Sequence, residues 1–170
     1  MDQYAEQLLK ANPTLKQKLL LVGSIAFTVV GVFLMIFVSG SMGLTLIIIG
    51  AMLIGLTINR LNTEYEYVFT NTDCDIARII NKSSRKDVYS FTDGDVLRIL
   101  PYSSEKFQNE LQVNTNMAIK DFTSGNRDRE KAWFAFLISA SDATTAVILE
   151  LNEKTYNYIK KCYKAKYEEK

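Results

Sequence analysis

The sequence predicts a two-helix membrane anchor joined to an all-β domain that a C-terminal helix closes. Three observations predict it. No Asp, Glu, Lys or Arg occurs between Lys18 and Arg60. From Glu64 onward the apolar residues fall in short alternating runs rich in β-branched and aromatic side chains, divided by turn formers. After Leu151 the spacing returns to threes and fours. The overall figures of 48% hydrophobic and 23% charged residues therefore average an apolar block with a polar remainder.

The first segment, residues 1–18, is expected to form a short amphipathic helix over Met1 to Asn12, with Tyr4, Ala5 and Leu8 on one face and an end near Pro13. It is followed at 19–59 by a transmembrane α-hairpin. Leu19 to Val38 is a continuous apolar run of about 20 residues, enough for a hydrocarbon core of about 30 Å. The small and turn-forming residues Ser39, Gly40, Ser41, Met42 and Gly43 interrupt it, and Leu44 to Ile58 resumes the pattern. One straight helix through both runs would reach roughly 60 Å and overshoot a bilayer, so the chain must double back. The first run is longer than a signal-peptide core, and a second follows at once. Lys10, Lys16 and Lys18 flank one end of the hairpin and Arg60 the other. The positive-inside rule then makes this a multi-pass cell-membrane protein with both termini cytoplasmic. Ala51 and Gly55, four residues apart, are the candidate for close helix–helix packing, within the hairpin first and with another helix second.

Residues 60–170 are expected to form the cytoplasmic domain. Strands are read at Tyr65 to Thr70, Cys74 to Ile80, Lys86 to Phe91, Val96 to Leu100, Met117 to Phe122, Ala132 to Ser139 and Thr144 to Leu151. Most of the breaks are hairpin-sized, which favours an antiparallel meander closed as a barrel or bent sandwich. Asn152 is a good N-cap, with Glu153 in the first turn and Leu151 placed to staple against Tyr156. Tyr156, Ile159, Tyr163 and Tyr167 make one stripe on the helix that follows, which suits a plug over one end of the β-structure.

Seven antiparallel strands capped by one helix resemble the pleckstrin-homology-like (PH-like) fold. The strings EYEYVFTN at Glu64 to Asn71, DIARIINKSSRK at Asp75 to Lys86 and DFTSGN at Asp121 to Asn126, behind two spans, resemble an uncharacterised family of short Gram-positive bacterial membrane proteins. That resemblance implies an anchored PH-like module and supplies no catalytic residues.

The chemistry-bearing residues are few. There is no His, and Cys74 and Cys162 fit no metal or redox spacing, so two free thiols are expected. Asp73 with Asp75 and Asp93 with Asp95 sit at hairpins, where Asp satisfies its own backbone. No phosphate-cradling loop or nucleophile elbow occurs. No catalytic, cofactor or metal residue is expected, and the chain is read as not an enzyme. The net charge of +1 argues against nucleic acid. By an up-and-down course of strands, the turn bearing Lys82, Arg85 and Lys86 returns to the bilayer and is the candidate lipid contact. The same alternation places Phe107 and Leu111, in the Pro101 to Asn116 connection, near lipid or the N-terminal helix, with packing onto the barrel the commoner fate. The charge-balanced loop from Gly125 to Lys131 is distal, and Trp133 is core or rim packing. The expected function is a membrane-anchored PH-like scaffold or adaptor that binds a protein partner, lipid head groups or a second copy of itself. The alternative is an accessory subunit of a transporter or secretion complex acting through its hairpin.

Overall fold

The computed structural model describes residues 4–140 and 143–168, and they fall into two compact units. The helical unit comprises residues 12–63 and 80–84. Thr14 opens its first helix, α1 (Leu15–Phe37), with a reciprocal cap: its hydroxyl accepts from Gln17 N–H, and the Gln17 side chain accepts from Thr14 N–H. Val38 and Ser39 reverse the chain into α2 (Gly40–Leu61). Both helices are long and apolar enough to cross a membrane.

Their seam is built from small residues. A Cβ on Gly43 would lie 2.3 Å from Met35 N, and one on Gly50 would lie 2.2 Å from Thr28 Oγ1. Bare backbone is therefore required at both positions for the helices to approach. Ser24, Thr28 and Thr57 return their hydroxyls to the carbonyls of Leu20, Ser24 and Leu53, which removes each buried donor from the apolar seam. Ala51 and Gly55 are exposed, and a Cβ on Gly55 would touch nothing within 4 Å. The packing expected of this pair inside the hairpin is thus corrected: Gly31, Gly43 and Gly50 form the seam, and Ala51 and Gly55 face away from it.

The β unit comprises residues up to Ala11, 64–79 and 85 onward. Its first element corrects the expected N-terminal helix. Tyr4–Lys10 is a strand, β1, in which Ala5, Gln7 and Leu9 are buried and Tyr4, Glu6, Leu8 and Lys10 are exposed. That alternation has the period of a strand. It pairs antiparallel with β2 (Thr63–Thr70), from Tyr4 opposite Thr70 to Lys10 opposite Glu64. Tertiary pairing overrides the weak helical preference of a short segment.

Next come β3 (Asp73–Ile80), β4 (Ser84–Phe91), β5 (Val96–Pro101), α3 (Glu105–Val113), β6 (Ala118–Asp121), β7 (Trp133–Ala140), β8 (Ala143–Glu150) and α4 (Glu153–Cys162). The seven strands read from sequence are present, and β1 is an eighth. They form two sheets, ordered β1-β2-β3-β4 and β5-β7-β8-β6, in place of one closed barrel. One reason closure fails is that the free edge of β5 is taken by the chain end: Ile99 N–H donates to Lys166 O, and Glu168 N–H donates to Ile99 O. Another is that β6, the opposite edge, is only four residues long. A pure meander is also corrected, because β6 runs parallel to β8.

The two sheets enclose the main core. Phe69, Ile76, Phe91, Ile99, Phe136, Val147 and Leu149 meet there, with Ile159 and Tyr163 of α4 over them. Tyr163 and Tyr158 donate their hydroxyls to the carbonyls of Thr72 and Asn71, which pins α4 on the β2–β3 turn. Alternate residues of β7 point the other way: Trp133, Ala135 and Leu137 pack with Phe107 under α3. Phe107 is fully buried and Leu111 packs against that cluster, so both belong to a second small core. The connection they occupy is a helix because Ser104 caps it, accepting from Phe107 N–H.

Candidate functional site

The β3–β4 turn is grouped with the membrane-type helices, in the helical unit. Asn81 N–H donates to Asn62 O at 2.7 Å, which fixes the turn to the residue that ends α2. Asn81 and Lys82 both adopt left-handed backbone, with φ of 52° and 55°. Asn tolerates this region well, whereas Lys pays for it in strain. Lys82 is exposed, as are Lys16 and Lys18 in the first turns of α1 of the same unit. The end of the hairpin at which the chain enters and leaves is thus cationic.

Arg85 and Lys86 belong to the β unit. Arg85 is engaged: its Nε donates to Glu66 Oε2 at 2.7 Å, and Nη1 lies 3.3 Å from Asp87 Oδ1. The hydrogen bond and charge of Glu66 raise its already high pKa. Arg85 also borders an open cavity of about 470 Å³ with Asp75, Asp87, Val88, Tyr89 and Ser90. The three cations expected to act together are therefore unlike: Lys82 is strained and exposed beside the helix end, Arg85 is neutralised, and Lys86 is exposed on β4.

The structure also shows a polar centre that sequence reading missed. Glu150 ends β8 and is buried. Its Oε2 accepts from Ser124 N–H at 3.1 Å, from the Ser124 hydroxyl, and from Trp133 Nε1 at 3.2 Å, while Arg129 Nη1 lies 3.5 Å from Oε1. The DFTSGN string builds the loop that delivers Ser124. Asp121 Oδ1 accepts from Thr123 N–H, Thr123 Oγ1 from Gly125 N–H, and Ser124 Oγ from Asn126 N–H, with Gly125 at φ 71°. Buried Gln7 completes the region by donating to Glu150 O and accepting from Asn152 N–H. Beside it lies a cavity of about 420 Å³ bordered by Gln7, Leu8, Asp128, Arg129, Lys131 and Glu150. The signal available for this centre was an acidic residue ending a strand of otherwise uncharged residues.

The paired aspartates do structural work. Asp95 caps its turn by accepting from Thr92 N–H and its hydroxyl, and those bonds hold its carboxyl below the usual range. Asp93 Oδ1 pairs with Lys166 Nζ at 2.9 Å. No group of three or more metal-binding residues occurs among the described residues. Cys74 and Cys162 are not joined in a disulfide, and burial pushes the Cys74 pKa well up, away from reactive thiolate.

No curated protein and no solved structure matches the chain. A family model described as "Bacterial PH-like domain" matches residues 1–169, spans and sheets together. An eight-stranded, helix-capped module whose first two strands bracket a helical hairpin agrees with that match over its whole length, and the chain belongs to this family of bacterial PH-like domains, DUF6106.

Proposed function

We propose that the protein is a non-catalytic, membrane-anchored adaptor whose PH-like module holds a partner protein at the cytoplasmic face of the membrane. One observation carries this reading: β1 precedes the two apolar helices, β2 follows them, and the two strands are paired along their whole length. Both ends of the hairpin thus enter one folded module, which must lie on one side of any bilayer the hairpin crosses. The lysines at that end favour the cytoplasmic side. A module tied to its anchor at two points swivels less than one on a single linker, which suits a surface that presents a partner in a fixed orientation. Lys82 supports a second contact, with anionic lipid beside the helix exit.

Exposure of Ala51 and Gly55 on the outer side of α2 favours a second reading, in which the hairpin itself docks on another membrane protein. Replacing residues 12–63 with an unrelated two-span hairpin separates the two. If crosslinking in native membranes recovers the same stoichiometric partner with the exchanged protein, the module does the binding. Loss of the partner while the module stays folded transfers the function to the hairpin.

A further inference from the structure

The edge of β5 away from β7 is occupied by a segment that belongs to no strand. After α4 ends at Cys162, Lys166 and Tyr167 N–H both donate to Tyr163 O in a turn, and residues 166–168 then run along β5. Ile99 N–H donates to Lys166 O and Glu168 N–H donates to Ile99 O, so Tyr167 stands opposite Ile99 in a parallel bridge. Each residue of the segment meets a group that matches it. Lys166 Nζ pairs with Asp93 Oδ1 at 2.9 Å. The Tyr167 ring lies 6.2 Å from Phe134 and 6.0 Å from Tyr156, and its hydroxyl is 3.0 Å from that of Tyr156. Glu168 meets Lys106 Nζ at 2.8 Å and Arg98 Nε at 3.6 Å. The edge thus offers, in order, an anion, an aromatic slot and two cations.

The hold on this segment is light. Arg98 and Lys106 are each 54% exposed and Asp93 is 45% exposed, and ion pairs in that setting contribute little. The bridge engages the backbone of Ile99, and Pro101 beyond it has no N–H to offer. Pairing can therefore lengthen only toward Leu97, which is exposed beside a bulge between Val96 and Arg98. Residues 163–166 form the turn after α4, so the chain's own segment cannot extend that way. A separate strand can: it would make the same contacts, add main-chain bonds and cover Leu97. Ile159 and Tyr163 hold α4 on the main core, and neither belongs to the segment that would leave.

We propose that the β5 edge is the docking site for an extended segment of a partner protein in which a basic, an aromatic and an acidic residue follow one another, and that residues 166–168 are a resident stand-in displaced on binding. Main-chain bonds to β5 supply the attachment, and Asp93, the Phe134–Tyr156 slot and the Arg98–Lys106 pair select the sequence. This deepens the adaptor reading and rests on it. The hairpin exchange tests that premise by itself: a partner recovered by the exchanged chain, with no peptide bound at β5, keeps the adaptor and removes this site.

The test uses the full chain in mild detergent and a fluorescein-labelled peptide, Thr-Val-Thr-Lys-Tyr-Glu, followed by fluorescence anisotropy. A chain carrying Lys166→Glu and Glu168→Lys repels its own segment from the edge, so it should bind the peptide about tenfold more tightly than the wild type does. The peptide Thr-Val-Thr-Glu-Tyr-Lys should bind that chain about tenfold more weakly, and adding Lys106→Glu should weaken the first peptide a few-fold. Equal affinity of the two chains, equal affinity for the two peptides, or no binding by the released chain overturns the proposal. Hydrogen exchange of the unaltered chain reads the same release where the charge-reversed chain fails to fold. The Glu168 amide should exchange about a hundredfold faster than amides in the middle of β7. Equal protection would mean that the segment leaves only when the module unfolds, which also overturns the proposal.

Discussion

Glu150 ends a strand of apolar and hydroxyl residues, yet its carboxylate carries three donors from two other segments. Truncating it would leave Ser124 N–H, the Ser124 hydroxyl and Trp133 Nε1 unpaired in the interior. Glu150→Ala should therefore destabilise the β unit by about 3 kcal/mol or more. Arg127→Ala, which breaks an exposed 3.4 Å pair with Glu130, should cost less than about 1 kcal/mol. Thermal unfolding of the full chain in detergent compares the two. Buried phenols give a second expectation. Burial raises the pKa of both Tyr67 and Tyr163 well above 10. Between the unfolded value near 10 and those folded values, the unfolded chain binds fewer protons than the native one. Stability is then full below about pH 10 and falls as pH rises, by up to about 1.4 kcal/mol per unit for each such group. Absorbance at 295 nm should show these tyrosines ionising only when the fold is lost, and early, reversible ionisation of every tyrosine would contradict their burial. The candidate site was partly legible at this scale. The cations at 82, 85 and 86 stand out in the sequence, but the pairing of Arg85 depends on Glu66 and Asp87, which only the strand pairing brings beside it.

The elements explain which parts of the fold could be read and which could not. The seven downstream strands were legible because each is bounded by turn formers, and α4 because Asn152, Leu151 and the Tyr156-to-Tyr167 stripe agree with one another. β1 was not, because a seven-residue segment with Tyr4, Ala5, Leu8 and Leu9 satisfies helical and strand periods alike. Its partner lies beyond the whole hairpin, opposite Glu64 to Thr70. The parallel pairing of β6 with β8 was equally hidden, since nothing in the β6 sequence names its neighbour. β1 matters energetically: it buries Ala5 and Leu9 in the main core, and Gln7 bridges Glu150 O and Asn152 N–H. A fragment beginning at Glu64 should accordingly be less stable, by about 3–5 kcal/mol, than residues 1–11 joined to 64–170 through a short Gly/Ser linker. Urea unfolding followed by circular dichroism measures the difference. Equal midpoints for the two proteins would show that β1 adds nothing.

At the scale of the molecule, the hairpin is an insertion between two paired strands, so the chain leaves and re-enters one module. An anchor fused at one end would leave the module's orientation to a linker. An insertion ties it at two adjacent strands, and in the proposed topology the cationic end at Lys16, Lys18 and Lys82 would add about 1 kcal/mol per charge near an anionic leaflet. The most direct test of this account is cysteine labelling of intact cells with a membrane-impermeant maleimide. The probes are Lys10→Cys in β1, Ser41→Cys at the turn between the helices, and Lys164→Cys beyond α4, all at exposed positions and each introduced together with Cys74→Ala and Cys162→Ser, which remove the native thiols. The account predicts that only Ser41→Cys is labelled from outside, and that Lys10→Cys and Lys164→Cys react once the cells are permeabilised. Labelling of Lys10→Cys and Lys164→Cys on opposite sides, or of both from outside while Ser41→Cys stays silent, would contradict it.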